Sequence, residues 1–209
     1  MVSMSGSQRR LFDAASRGDP RAVEELLEMH LPALHAFVRL QAGHAITAKE
    51  SCSDLVQSVC REVLQDVSGY QYRGDAAFKS WLFKTALHKI IDRNRFYSRD
   101  KRDVAREARG PVGDAGSRLP DAEAVDLLAN YGTFWTPSRD AIAREELTRI
   151  EQAFQCLEPQ YREVITLCRV AGLSFAEAAE ASGRSEGSIR GLLARGLARL
   201  ARRLSADEA

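Results

Sequence analysis

The sequence predicts an all-α fold, two small helical domains joined by a flexible linker, and three observations lead there. Apolar residues recur three and four positions apart through both ends of the 209-residue chain, the period of helices that bury one face. Strand-type alternation is absent throughout. Between the two periodic parts, residues 101–140 are rich in Gly, Pro, Asp and Arg, with Gly110-Pro111 and Thr136-Pro137 as breakers. The chain therefore divides into a domain over 1–100, a linker over 101–140 and a domain over 141–209.

The first domain opens on a segment from Arg9 to Arg17, followed by Gly18-Asp19-Pro20. Asp19 can cap free backbone N–H groups, and Pro20 suits a first helical position because its missing N–H has no partner there anyway. Val23, Leu26, Leu27 and Leu31 mark the inward face of that helix. A second helix is predicted over 32–41, starting at Pro32, with Leu34, Phe37 and Val38 inward. A third covers 53–67, with Val56, Val59, Cys60, Val63 and Leu64 inward. After a loop over 69–75, a long helix runs over 76–99. Phe78, Leu82, Thr85 and Ala86 form part of its core face, while a separate stripe carries Trp81, Lys84, His88, Arg95 and Arg99.

In the second domain the spacing predicts helices over 142–157 (Leu147, Ile150, Phe154 and Leu157 inward) and 159–170 (Tyr161, Val164, Ile165 and Cys168 inward). The segment 173–204 then reads as a helix-turn-helix. Ser174 and Glu177 form a Ser-x-x-Glu capping box, Ala178 and Ala179 let two helices cross closely, and Gly183 supplies the turn. Ser185 can cap a second helix whose Ile189, Leu192, Leu193, Leu197, Leu200 and Leu204 share one side. Arg190, Arg195, Arg199, Arg202 and Arg203 lie mostly on other faces. Two readings fit this segment: a motif whose second helix enters a major groove, or a plain helical hairpin with a solvated Arg face.

The formal net charge of +1 argues against a polyanion partner until the charges are placed along the chain. From Arg184 to Arg203 there are six Arg against Glu186 alone, and from Lys84 to Arg102 seven Lys or Arg against Asp92 and Asp100. Two basic patches in separate helical regions are the electrostatic footprint of a nucleic-acid binder. An aromatic residue heading the second patch, beside a loop with Tyr70, Tyr72 and Arg73, has the chemistry of a single-strand binder. There, bases stack on aromatic faces for about 1–3 kcal/mol each while cations follow the phosphates. The other reading makes Trp81 core and the Lys/Arg face merely solvated; spacing leaves both open.

The same inspection excludes other classes. The Ser-rich start lacks an apolar run before a cleavage site, so the expected location is the cytoplasm, with no membrane insertion. Cys52, Cys60, Cys156 and Cys168 form no Cys-x-x-Cys pair and have no His at zinc-ligand spacing. No metal is expected, and Cys60 and Cys168 read as core thiols of a reducing compartment. There is no His-Glu-x-x-His, phosphate loop or Gly-x-Ser-x-Gly. No cofactor, no catalytic residue and no enzymatic activity are expected.

Several runs, taken in order, resemble a known family. Asp54-Leu55-Val56-Gln57, Tyr72-Arg73-Gly74-Asp75, Phe78-Lys79-Ser80-Trp81-Leu82-Phe83 and Asp92-Arg93 are similar to the second conserved region of sigma-70 family factors of the compact extracytoplasmic-function type. Leu157-Glu158-Pro159-Gln160-Tyr161-Arg162-Glu163-Val164, Gly172-Leu173-Ser174 and Gly187-Ser188-Ile189-Arg190 are similar to their fourth region. The resemblance implies a dissociable subunit of bacterial RNA polymerase. Its first domain would bind the core polymerase and capture unstacked bases of the promoter's minus-ten element, and its second would read the minus-thirty-five element as duplex DNA. Many such factors are also held by an anti-sigma protein, which no residue here identifies.

Residue by residue, the resemblance places Asp54 and Gln57 in the polymerase-facing surface and Tyr72 and His88 in the flipped-base pocket. Arg73, Trp81, Lys84 and Arg95 join them as the single-strand set. Relatives commonly carry Asn where His88 stands; an amide presents a donor and an acceptor together, which imidazole does not, so the preferred base can differ. For the duplex set the resemblance and the cap give Ser185, Ser188, Arg190, Arg195 and Arg199. Gly191 and Ala194 replace longer side chains often found there, which suggests an upstream element read partly through backbone position and duplex shape. Two rivals fit part of the chain: a stand-alone helix-turn-helix regulator, which does not need the Tyr72 loop or the Trp81 stripe, and a helical adaptor without DNA affinity.

Overall fold

The computed structural model describes residues 6–66, 74–99 and 141–206, and every element among them is a helix. Tyr72, Arg73 and the predicted linker lie outside the described residues. The first domain contains α1 (Gly6–Ser16), α2 (Pro20–Gln41), α3 (His44–Thr47), α4 (Cys52–Asp66) and α5 (Asp75–Arg99). The second contains α6 (Ala141–Gln155), α7 (Pro159–Ile165), a π-turn (Thr166–Val170), α8 (Phe175–Ser182) and α9 (Glu186–Ala206).

Local signals hold at the helix ends. Asp19 caps α2, its side chain accepting from the Arg21 N–H at 3.0 Å with Pro20 in the first turn. Ser174 and Glu177 form the full capping box of α8. Gly183 closes α8 at φ +67°, a left-handed conformation that a residue without Cβ adopts freely.

Two predicted boundaries differ. The helices expected on either side of Pro32 are one continuous α2. Pro32 removes the bond to the carbonyl four residues back, but both Pro32 and Glu28 are exposed, so water can serve that carbonyl. Burial of Leu26, Leu27, Leu34 and Phe37 on the opposite side carries the helix through. The single helix expected over 159–170 instead switches to a π-turn at Thr166, where the Ala171 N–H bonds the Thr166 carbonyl at 2.8 Å. The buried Thr166 hydroxyl lies within bonding distance of the Arg162 and Glu163 carbonyls, competing for the groups a regular helix would use.

The core of the first domain joins α2, α4 and α5 through Leu34, Phe37, Val59, Phe78 and Leu82. His30 bonds Asp75 at 2.9 Å, tying α2 to the start of α5. In the second domain α7 and α9 cross closely. A Cβ at Gly196 would stand 3.0 Å from Ile165 and 3.1 Å from Tyr161. Cys168 is buried as expected, and burial pushes its thiol up to about 11; Cys60 is only half-buried.

The two domains do not stand apart. Their buried apolar residues form one continuous cluster, with α2 against α6 and the π-turn and α5 against α8. Arg39 on α2 binds both carboxylate oxygens of Glu151 on α6, with Nη2 3.0 Å from Oε2.

Candidate nucleic-acid interface

Helix α9 is built from its start. The Ser185 hydroxyl accepts from the Ser188 N–H at 3.2 Å, which satisfies a free donor of α9 and fixes where the helix begins. Six apolar residues, Ile189 to Leu204, are buried as expected. Their burial leaves Ser185, Glu186, Gly187, Ser188, Arg190, Ala194 and Arg195 exposed, a surface at the helix N-terminus suited to a groove.

Within that surface one guanidinium group is held and a second lies along the helix. Arg190 lies 5.1 Å over the Phe175 ring and 3.5 Å from the Glu186 carboxylate. Phe175, at the start of α8, was not among the expected site residues; only the fold brings it beneath Arg190. Arg195 folds back along α9, so that a Cβ at Gly191 would stand 3.7 Å from its Nη2. The space left by glycine is thus beside a guanidinium, and the expected gap in side-chain contacts there is partly filled.

Arg199 stands apart from the rest of the expected duplex set. It is nine residues from Arg190, about half a turn out of phase at ~100° per residue, and its guanidinium is turned inward. It lies 4.6 Å over the Tyr161 ring and bonds Glu158. Desolvation alone would raise the Glu158 carboxyl, but the bond from Arg199 and the charges of Arg199 and Arg203 carry it below its ordinary value.

On α5 the residues Trp81, Lys84, His88 and Arg95 fall within one narrow stripe, as their spacing requires. Trp81 is half-buried and meets Phe78 edge-on at 6.0 Å, so it belongs partly to the core. His88 and Arg95 are exposed, with Asp92 3.7 Å from Arg95. Lys84 is paired with Glu180 of α8 at 3.5 Å. Two other cations of the basic patch serve the fold: Lys89 pairs with Glu62 and Arg93 with Glu50. Composition counted them with the rest; the helix faces separate them.

Asp54 and Gln57 are exposed on α4. The Ser51 hydroxyl donates to the Asp54 carboxylate at 2.7 Å and accepts from its N–H at 3.1 Å, a cap that holds the start of α4. Gln57 borders an open groove of about 680 Å³ between α2 and α4, floored by Leu31, Val56, Cys60 and Leu64. Among the described residues no His/Cys/Asp/Glu group could hold a metal ion, and no helix is long and apolar enough to cross a membrane.

The Sigma-70 region 2 family model matches residues 26–114, and that of Sigma-70, region 4 matches residues 147–200. The RNA polymerase sigma factor CnrH of Cupriavidus metallidurans is 30% identical over 202 residues, 96% of each chain. The ECF RNA polymerase sigma factor SigD of Mycobacterium tuberculosis is 29% identical over 186 residues, 89% of this chain and 78% of its own. Among solved structures, CnrH in complex with the cytosolic domain of CnrY aligns at a TM-score of 0.61 and 26% identity, covering 95% of this chain and 97% of the other. RpoE of Bartonella quintana in complex with the anti-sigma factor NepR shares the fold, with a TM-score of 0.61 at 23% identity, covering 88% and 98%.

Proposed function

The chain belongs to the sigma-70 family of RNA polymerase sigma factors, of the extracytoplasmic-function type, directing core polymerase to promoters; from that premise we propose how its residues divide the work. Residues 1–100 act as region 2, 101–140 as the connecting linker and 141–209 as region 4. A stand-alone helix-turn-helix regulator accounts for the match over 147–200 and leaves that over 26–114 without a purpose.

In this reading the exposed start of α9 enters the major groove of the minus-thirty-five element. Ser185 and Ser188 meet the backbone, Arg190 reads a base edge, and Arg195 reads a base or clamps a phosphate. The observation that carries it is the capped, exposed N-terminus of α9 with Arg190 supported on Phe175. Arg199 keeps the bundle together instead. Tyr72, Arg73, Trp81, Lys84, His88 and Arg95 receive the unstacked strand of the minus-ten element, where a base must leave the stack before its edge can be read. Asp54 and Gln57, beside the α2–α4 groove, face the core polymerase.

The proposed setting is the cytoplasm, where polymerase and promoter are found, with the reaction chemistry supplied by the polymerase. An anti-sigma protein is a fitting regulator, since CnrH was solved with CnrY and RpoE with NepR. In vitro transcription with core polymerase and a genomic DNA library tests the proposal. Initiation at a shared two-element promoter is expected; failure to bind polymerase or to open any promoter would overturn it.

A further inference from the structure

The pairing of aromatic and cationic side chains on α5 does not end at Arg95. The next residue, Phe96, is 60% exposed, and with Met29 it is one of two large apolar side chains left open among the described residues. Single apolar residues on a surface are ordinary, but two neighbours set this one apart. Tyr97 packs against the core and meets the Phe96 ring edge-on, with centroids 5.3 Å apart and planes at 75°. The ring is thus supported without being covered. On its other side, Arg95 has 75% of its side chain exposed, and its only modest tie is to an equally exposed Asp92 at 3.7 Å, a pair that is weak and screened by salt.

We propose that Phe96 is a stacking platform for one further base of the single promoter strand, with Arg95 following the adjoining phosphate. The inference rests on reading the α5 stripe as the strand site, and it extends that site toward the end of the helix. Eight residues beyond His88, Phe96 stands about 12 Å further along the helix axis and about 80° around it. It therefore flanks the stripe, and a strand that follows Lys84, His88 and Arg95 passes the ring at its side. A phenyl ring offers no hydrogen-bonding group, so it holds a base by its face whatever the base is; its contribution is affinity and register, not identity. A protein surface is the other occupant an exposed phenylalanine suits. Charge favours the nucleic acid: residues 92–102 carry five Lys or Arg against Asp92 and Asp100, and aromatic side chains set among cations are the chemistry of single-strand binding.

The test uses core polymerase carrying the full chain and a labelled single-stranded oligonucleotide with the minus-ten sequence that library transcription identifies. Phe96→Ala is expected to weaken strand binding at least about five-fold, the lower end of what one stacked base contributes. Phe96→Tyr and Phe96→Trp are expected to keep the affinity, and Phe96→Leu to lose it as alanine does. The slope of affinity against salt stays the same in all four, since no charge is removed. An abasic nucleotide walked along the strand should reproduce the loss at one position, and add nothing there to Phe96→Ala. Rescue by leucine, or an abasic loss that adds in full to Phe96→Ala at every position, overturns the proposal. Unchanged strand binding by Phe96→Ala overturns it too; weaker binding to core polymerase in its place makes the ring a protein contact. The underlying reading fails separately: if Lys84→Ala and His88→Ala bind the strand as the unaltered chain does, the stripe is not the strand site, whatever Phe96 shows, and the extension falls with it.

Discussion

The guanidinium of Arg199 lies 4.6 Å over the ring of Tyr161, and this stacking gives an arginine of α9 a structural task. Only a fifth of its side chain is exposed, and Glu158 binds it. Arg199→Ala is expected to lower stability by about 1–2 kcal/mol, with Arg199→Lys restoring little, because an ammonium cannot stack and fork in the same way. The slope of duplex affinity against salt concentration is expected to stay unchanged. A slope reduced by about one would return Arg199 to the phosphate contacts.

Two glycines of α9 are expected to respond to alanine with opposite signs. At Gly191 a Cβ finds ordinary contact at 3.7 Å, so Gly191→Ala gains helix propensity and is expected to stabilise by about 0.5–1 kcal/mol. At Gly196 the same atom would stand 3.0 Å from Ile165 and 3.1 Å from Tyr161. Overpacking there outweighs propensity, and Gly196→Ala is expected to destabilise by about 1–3 kcal/mol. Thermal melting of the two variants decides the matter.

Arg190 and Phe175 are expected to act together in base preference. Arg190→Ala should cost about 1–3 kcal/mol on the preferred upstream element and flatten preference at one base pair. Phe175→Leu keeps an apolar residue but removes the ring beneath the guanidinium. It is expected to reproduce the flattened preference in part, with affinity for unrelated duplex unchanged. Selection from a randomised upstream element reads both effects. Equal weakening on every sequence would make Arg190 a phosphate clamp.

Burial holds His30 and His35 below the ordinary histidine value; for His30 it outweighs the nearby Asp75, which pulls upward, while Lys79 adds to the lowering. The neutral rings are therefore the folded form. Their contribution to stability is present in full above about pH 6.5 and is lost as pH falls through the lowered folded values. The melting temperature is expected to drop between pH 7 and 5.5, ahead of carboxylate titration. The double variant His30→Gln, His35→Gln should show a flatter profile over that interval.

Helix type and most inward faces could be read from the sequence because they depend on neighbours within a turn or two. The Asp19 cap, the Ser174–Glu177 box, the Gly183 turn and the buried face from Ile189 to Leu204 all obey that local rule. Pro32 escaped it, since a proline's effect depends on whether the carbonyl it leaves free is exposed and on what the helix buries opposite. The π-turn at Thr166 escaped it too, because a buried hydroxyl with two carbonyls in reach leaves no periodic trace.

By itself the amino-acid order determined an all-helical chain, two basic regions and the residues that resemble a transcription factor's. Tertiary structure alone decided which cations are available. It turned Arg199 to Tyr161, gave Lys89 to Glu62 and Arg93 to Glu50, set Phe175 under Arg190 and brought Glu180 to Lys84. The reason is reach: periodicity assigns a side chain to a helix face, but its charge is felt over only a few ångströms. Partners on other helices, distant in sequence, are named only when the helices carrying them pack.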